Sequence, residues 1–328
     1  MTVETLLITG ATGFVGSHVL EATRGQGIRI RALVRKPADA ARLTSVGVEC
    51  IAGSLEDMSA VRDAVAGADA VLHLAAATKA RNLDEYQRAN VGGTQAVVEA
   101  MLNSSPRPKR LIYLSSLAAA GPAQGGKRVT RDDSPRPLTA YGRTKLAGEK
   151  VCEAVGDLVE VGILRAPAVY GPRDRDVYDF FKMAKYGVVM LPSGPIRHLQ
   201  MIHVADLARA LVMAATGERV SGVYHVAESR SYEMDEMARL VIAAVGKPSR
   251  IVHLPPGFIE TAAALSEKAA GLLGKSTIFN RDKAREILAP AWLCETELAR
   301  RDFGFETHIA LADGLKQTAQ WYRDNKWL

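Results

Sequence analysis

Tyr141 and Lys145 stand four residues apart in "YGRTK", at the start of a run with helical spacing. That interval puts both side chains on one helix face. A phenol with its ordinary pKa near ~10 is a poor acid–base group at neutral pH, whereas a neighbouring ammonium stabilises the phenolate. The spacing predicts a proton relay in which Lys145 lowers the pKa of Tyr141. Upstream, "RLIYLSSLAAAG", Arg110 to Gly121, starts as a strand and ends it in two hydroxyls, Ser115 and Ser116. At the carboxyl edge of a sheet, a serine can hydrogen-bond a carbonyl or alcohol oxygen while a phenol transfers the proton. Ser116 is expected to be that hydroxyl, with Ser115 near a cofactor.

A second pattern supplies the reaction partner. "LLITGATGFVGSHVL", Leu6 to Leu20, places Gly10, Gly13 and Gly16 between a strand and a helix. The first glycine can make the tight turn, the second lets backbone approach a pyrophosphate, and the third allows close helix packing. Exposed N–H groups at the helix start then meet the phosphate charge. No Gly-Lys-Ser/Thr follows, which excludes a Walker-type loop. An acidic residue about twenty positions further on would bond the adenine ribose of NAD, but the next strand ends in Val34-Arg35-Lys36. A guanidinium binds phosphate oxygens in bidentate fashion. Arg35, backed by Lys36, therefore predicts NADP(H), with NAD(H) as the second choice.

The elements that must position these groups alternate along the chain. Leu6 to Thr9, Ile28 to Val34, Val48 to Ala52, Ala70 to Leu74, Arg110 to Ser115 and Val159 to Arg165 are expected as strands, and Phe14 to Arg24, Ala60 to Ala66, Tyr86 to Leu102 and Tyr141 to Val155 as helices. Strand–helix alternation of this kind implies a parallel sheet covered on both faces, and right-handed crossovers make it doubly wound. After Arg165 proline and glycine become frequent; a helix is expected at Val204 to Thr216 and a strand at Gly222 to Val226. The predicted fold is α/β: a Rossmann dinucleotide-binding domain from residues 1–170 and 200–227, with a smaller, mostly helical substrate lobe from 171–199 and 228–328.

The chain resembles the extended short-chain dehydrogenases/reductases over nearly its whole length. Seven stretches in order carry the resemblance: "TGATGFVG", "HLAAA" at His73 to Ala77, "NVGGT" at Asn90 to Thr94, "YLSSLAAAG", "YGRTK", "LRAPAVYGPRD" at Leu164 to Asp174, and "MIHVADLA" at Met201 to Ala208. The resemblance implies that Ser116, Tyr141 and Lys145 act together, that Lys145 also bonds the nicotinamide ribose, and that Pro167 and Val169 lie by the nicotinamide. It further implies cofactor contacts from Thr12, Phe14 and Val15 in the glycine loop, from Leu74, Ala75 and Ala76, from Asn90 and Leu55, and from Tyr141 itself. Ser54 stands where the family often has an aspartate near the adenine, so its contact is uncharged. His73 and His203 are expected as structural histidines, and no metal site is predicted.

That family includes sugar-nucleotide epimerases and dehydratases as well as alcohol dehydrogenases and ketone reductases, so fold and triad do not settle the reaction. Members that dehydrate or decarboxylate carry acids directly after the catalytic hydroxyl; here Leu117 and Ala118 follow. Sugar-nucleotide members tend to carry an Arg-Asp pair before "IHV", where Leu199 and Gln200 stand. Arg173, Arg175, Lys182, Lys185 and Arg197 are other charges that could hold a diphosphate. In "LPPGFIETAAALSEKAAGLLGK", Leu254 to Lys275, the residues Phe258, Ala262, Leu265, Ala269 and Leu272 form one apolar helical stripe. Such a stripe is ordinarily core; the alternative is a wall for an apolar substrate or a peripheral surface that touches lipid. The resemblance is strongest to the 3β-hydroxysteroid dehydrogenase and dihydroflavonol reductase branches. It implies an NADP(H)-dependent oxidoreductase that interconverts a secondary alcohol and a ketone on a hydrophobic sterol-, isoprenoid- or polyketide-like molecule. An NAD-dependent sugar-nucleotide epimerase and a non-catalytic dinucleotide-binding subunit are the alternatives.

Composition sets the outer limits. Of 328 residues 48% are apolar and 24% charged, which suits a globular protein. The excess of 42 Lys+Arg over 36 Asp+Glu gives +6, but these charges are scattered, so no nucleic-acid partner is expected. Cys50, Cys152 and Cys294 show no ligand or Cys-x-x-Cys spacing and predict reduced thiols in a cytoplasmic protein. No run approaches the ~18 apolar residues of a membrane span. The family commonly dimerises through two helices per subunit, here those around Tyr86 to Leu102 and Tyr141 to Val155, which predicts a homodimer.

Overall fold

The computed structural model describes residues 2–218, 220–272, 277 and 279–328. Its first half alternates as β1 (Thr5–Thr9), α1 (Phe14–Ala22), β2 (Arg29–Val34), α2 (Pro37–Thr44), β3 (Glu49–Ala52), α3 (Met58–Val65), β4 (Ala70–His73), α4 (Leu83–Tyr86), a π-helical segment (Gln87–Gly92), α5 (Gly93–Leu102), β5 (Arg110–Ser116), α6 (Leu117–Ala120), α7 (Ala140–Glu153) and β6 (Glu160–Ala166). The second half has β7 (Ala168–Tyr170), α8 (Tyr178–Lys185), β8 (Val188–Pro192), β9 (His198–Leu199), β10 (Met201–His203), α9 (Val204–Thr216), β11 (Gly222–His225), β12 (Tyr232–Glu233) and α10 (Met234–Val245). It closes with β13 (Arg250–Leu254), α11 (Pro256–Leu272), α12 (Arg281–Leu288), β14 (Ala291–Trp292), α13 (Glu297–Phe303) and α14 (Leu311–Asp324).

Seven strands form one parallel sheet in the order β11-β6-β5-β4-β1-β2-β3. β1 and β4 are buried at every position because helices cover both faces. One core packs α1 and α9 on the sheet through Val19, Leu207 and Leu211. The opposite core packs α3, α5 and α7 through Val61, Val97 and Cys152. The strand order turns back between β1 and β4, and the crevice beyond their carboxyl ends is where such sheets take ligands. At the other end of the sheet the buried Arg110 guanidinium bonds Glu160 and the carbonyls of Ala214, Ala215 and Gly217. It supplies the donors that the C-terminus of α9 lacks.

The expected helix from Tyr86 to Leu102 is interrupted. Its second turn widens into the π-helical segment around Asn90, where both ends of the Asn90 amide pair with Ala77. Gly92 and Gly93 have little helix propensity to oppose this widening. The C-terminal lobe is also less purely helical than expected: β8 pairs with β13, and β9 lies between β12 and β14. A third core, around Phe181, Met237, Val241, Leu315 and Tyr322, holds α8, α10 and α14 together.

The stripe on α11 is not core. Ile259 and Ala263 are the residues this helix buries, against Ala284 of α12, while Phe258, Leu265 and Leu272 are 60%, 63% and 82% exposed. Two apolar arcs share the helix, and the smaller one faces the protein. Leu273, Gly274 and Lys275, the end of the sequence segment read as this stripe, lie outside the described residues.

Candidate active site

Thr139 caps α7, accepting the Gly142 N–H at 3.0 Å, and so sets Tyr141 in the first turn. A Cβ on Gly142 would strike the Ala118 carbonyl oxygen, so glycine there lets α7 press against α6. Ser116 ends β5 and caps α6, its Oγ accepting the Ala118 N–H at 3.1 Å. This packing of α6 on α7 brings the Ser116 hydroxyl to the Tyr141 phenol. Lys145, one turn on, is buried. Its Nζ donates to the Leu114 carbonyl at 2.6 Å and sits 4.0 Å from the centroid of the Tyr113 ring.

The electrostatics reverse one expectation. Burial raises the pKa of Tyr141, the carboxylate of Glu286 on α12 raises it further, and the hydrogen bond of Ser116 opposes both. The phenol is thus shifted upward rather than downward, and burial also draws the Lys145 ammonium down to about 7, with Glu149 resisting. Desolvation of both groups outweighs their mutual effect. Removing the Glu286 charge by Glu286→Gln should lower the phenol's pKa. The rising limb of alcohol oxidation should then move to lower pH, by up to about one unit. Superimposable pH–rate profiles for the two proteins would remove Glu286 from the site's electrostatics.

Ser115 does not point toward a cofactor. Its hydroxyl donates to Glu149, which also receives Arg165 through two bonds, Nε at 2.9 Å and Nη2 at 2.7 Å. Glu149 and Arg165 are 1% and 3% exposed. Glu149 lies four residues after Lys145 on the same helix face, a spacing that could have drawn attention to it. Its partner sixteen residues away on β6 could not be read from spacing.

The glycine loop fits a dinucleotide. Gly10 has φ +75°, and a Cβ there would come within 2.8 Å of the Ala75 nitrogen. A Cβ on Gly16 would collide with the Gly10 carbonyl. Gly13 caps α1 without a side chain, and the first turn holds no acid. The N–H groups of Phe14, Val15 and Gly16 are thus left for an anion, beside the exposed Thr12. Ala75 donates to Thr9 Oγ1 at 3.3 Å, and Thr9 bonds His73 Nδ1 at 2.6 Å. Thr94 Oγ1 spends its proton on the Asn90 carbonyl, so it accepts from His73 Nε2 at 3.1 Å. His73, whose pKa burial lowers to about 3, is a neutral structural link in this chain.

Asn90 holds the loop after β4 rather than offering its amide to a ligand. Its Nδ2 donates to Ala77 and to Thr144, and its Oδ1 accepts from Ala77. That loop begins with Leu74, Ala75 and Ala76. Ser54 Oγ accepts the Glu56 N–H at 3.2 Å, and Leu55 packs against Gly93. Pro167 is buried between β6 and β7, and Val169 pairs with Ile202 of β10. Arg35 and Lys36 project from the end of β2 and make no side-chain hydrogen bond or ion pair among the described residues. His203 caps α9 through Nδ1.

The lobe's cations are differently placed. Arg197 is buried and spends its guanidinium on the carbonyls of Leu288, Pro192, Ser193 and Pro195. Gln200, fully buried, donates to Glu228 O and accepts from Cys294 N. Arg173 bonds Ser17 and Glu21, and Lys182 pairs with Asp179.

Residues 6–227 match the NAD dependent epimerase/dehydratase family. The chain belongs to that family. A ceramide reductase from Caulobacter vibrioides is 32% identical over 98% of this chain and 95% of its own. A 4-hydroxy-2-methyl-3-oxo-4-farnesyl-3,4-dihydroquinoline-1-oxide ketoreductase from Stigmatella aurantiaca is 28% identical over 87% and 91%. Among solved structures, MoeE5 in complex with UDP-glucose and NAD superposes with a TM-score of 0.77 at 25% identity, covering 98% of this chain and 99% of that one. This family member is an enzyme of the short-chain dehydrogenase/reductase type, an oxidoreductase that takes a nicotinamide dinucleotide.

Proposed function

We propose that this enzyme interconverts a secondary alcohol and a ketone on a hydrophobic small molecule, with NADP(H) as the preferred cofactor. The observation that carries the substrate class is the commitment of Arg197 and Gln200 to buried structural hydrogen bonds, which leaves neither for a sugar nucleotide's diphosphate. Relatives named for ceramide and for a farnesylated quinoline support the same class. Residues 1–170 and 200–227 hold the dinucleotide in this reading, and 171–199 and 228–328 face the substrate. Two copies would pair through the α4–α5 and α7 faces; sedimentation as a monomer would refute that pairing.

When bound, the dinucleotide supplies or accepts the hydride. Ser116 hydrogen-bonds the substrate oxygen and orients it toward the phenol. Tyr141, whose raised pKa keeps its proton in place at neutral pH, donates that proton in reduction and takes it back in oxidation. Lys145, poised near neutrality, returns a proton to the phenol side of the site. The test is turnover: NADPH oxidation with a panel of hydrophobic ketones, against UDP-glucose as the control. Turnover of the sugar nucleotide without net redox change, and none of the ketones, would reverse the assignment.

The cofactor preference rests on Arg35 and Lys36, two exposed cations at the end of β2 with no ion-pair partner among the described residues. Charge-assisted bonds of this kind contribute about 1.5–3 kcal/mol each. Arg35→Asp should therefore lower the NADPH/NADH ratio of kcat/KM by at least about tenfold. An unchanged ratio would place the 2′-phosphate elsewhere or remove the preference altogether.

A further inference from the structure

The outward face of α11 has no partner among the described residues. Phe258, Leu265 and Leu272, with the smaller Ala262 and Ala269, fall within an arc of about 80° on the helical wheel, and the three large side chains are 60%, 63% and 82% exposed. The charged residues follow a definite order around this arc. Glu260 and Glu267 point to the opposite side, where Glu267 accepts the Arg281 N–H at 3.1 Å, and Lys268 borders the stripe. The strand pair that leads into α11 repeats the pattern. Val188, Met190 and Val252 are exposed on β8 and β13, Arg250 stands beside Val188 in register, and exposed Lys247 precedes it.

The inner side of the same helix pair reaches the catalytic helix. α11 packs on α12 through Ile259, Ala263 and Ala284, and Asp282 of α12 accepts the Ala140 N–H at 2.6 Å, next to Tyr141. The helix pair is thus anchored beside Tyr141 on one side and apolar on the other. Three side chains at this exposure present a few hundred Å². A stable dimer needs about 800 Å² per partner, so the stripe is too small to seat a second copy. A helix whose apolar arc is bordered by Lys268, with its acids turned away, suits an anionic bilayer surface.

We propose that α11 docks on anionic lipid, in the plane of the membrane interface, and so presents the catalytic cleft to substrates dissolved in the bilayer. This rests on the reading of the substrate as hydrophobic, but docking is measured without turnover. In flotation assays, the full chain should rise with phosphatidylglycerol-rich vesicles and bind pure phosphatidylcholine vesicles less. The triple variant Phe258→Ser, Leu265→Ser, Leu272→Ser should lose at least about tenfold in vesicle binding, and Lys268→Glu should weaken the anionic preference. Both should keep wild-type turnover on a short-chain, water-soluble ketone. Failure of the wild type to float, or equal flotation of the triple variant, would overturn the docking. So would a self-association in sedimentation that the triple variant abolishes, which would assign the stripe to a second copy. Flotation without any ketone turnover would instead overturn the hydrophobic-ketone reading and leave the docking standing.

Discussion

Tyr141→Phe is expected to lower kcat for ketone reduction by about 10²–10⁴-fold while leaving dinucleotide affinity unchanged. The substitution removes one oxygen and keeps the ring, so the contact with Tyr86, 6.3 Å between centroids, survives. What is lost is the proton donor. Burial holds the phenol protonated at neutral pH, and its neighbours are poor replacements: the Tyr86 hydroxyl donates to the Thr78 carbonyl, and Ser116 carries an alcohol of much higher intrinsic pKa. Dinucleotide affinity is expected to hold because the glycine loop, the N-terminus of α1 and Arg35 are elsewhere in the crevice. Pre-steady-state measurement of hydride transfer, alongside a fluorescence titration of NADPH, separates the two effects. Full turnover by the Phe variant on an identified substrate would remove Tyr141 from the chemistry.

Glu149→Ala should destabilise the fold by about 3–5 kcal/mol, a large part of the roughly 5–15 kcal/mol that holds a typical protein folded. The cost arises from Arg165, buried with its two bonds to Glu149 and with Nη1 already unpartnered. Deleting the carboxylate leaves that guanidinium without a counter-charge and strands the Ser115 hydroxyl. The effect reaches the active site through α7, because Glu149 is also what resists the downward shift of Lys145. Denaturant unfolding should show a lower midpoint with an unchanged slope. The double variant Glu149→Leu, Arg165→Met should recover much of the loss, since it replaces both charges with apolar groups. Equal destabilisation by single and double variants would mean that packing volume, not charge, dominates here.

Local signals carried the architecture. The glycine spacing of the first loop and the strand–helix alternation are short-range patterns, set by backbone sterics and by side-chain periodicity over a few residues. They gave the parallel sheet, the crevice and the limits of α9 at Val204 and Thr216 without reference to distant parts of the chain. Tyr141, Lys145 and Ser116 were readable for the same reason: two share a helix face, and the third ends a strand. The π-helical turn at Asn90 was hidden because its cause, the pairing of Asn90 with Ala77, lies thirteen residues away.

Charge and burial were decided by contacts that no spacing reports. From sequence, Arg197 and Gln200 are a free cation and an amide; in the fold both are consumed by carbonyls and by Cys294. Ser115, adjacent to a candidate catalytic hydroxyl, turns to the other face of β5 because alternate residues of a strand point in opposite directions. The sign of the Tyr141 shift depends on desolvation and on Glu286, 145 positions later in the chain. The periodicity of α11 announced an apolar stripe, yet the helix carries a second apolar arc, and only docking against Ala284 selected which one is buried. The sequence alone therefore determined which elements form and which groups can do chemistry. The tertiary structure decided which of those groups are free, which are charged, and which apolar face is left exposed, because each depends on neighbours supplied by remote segments.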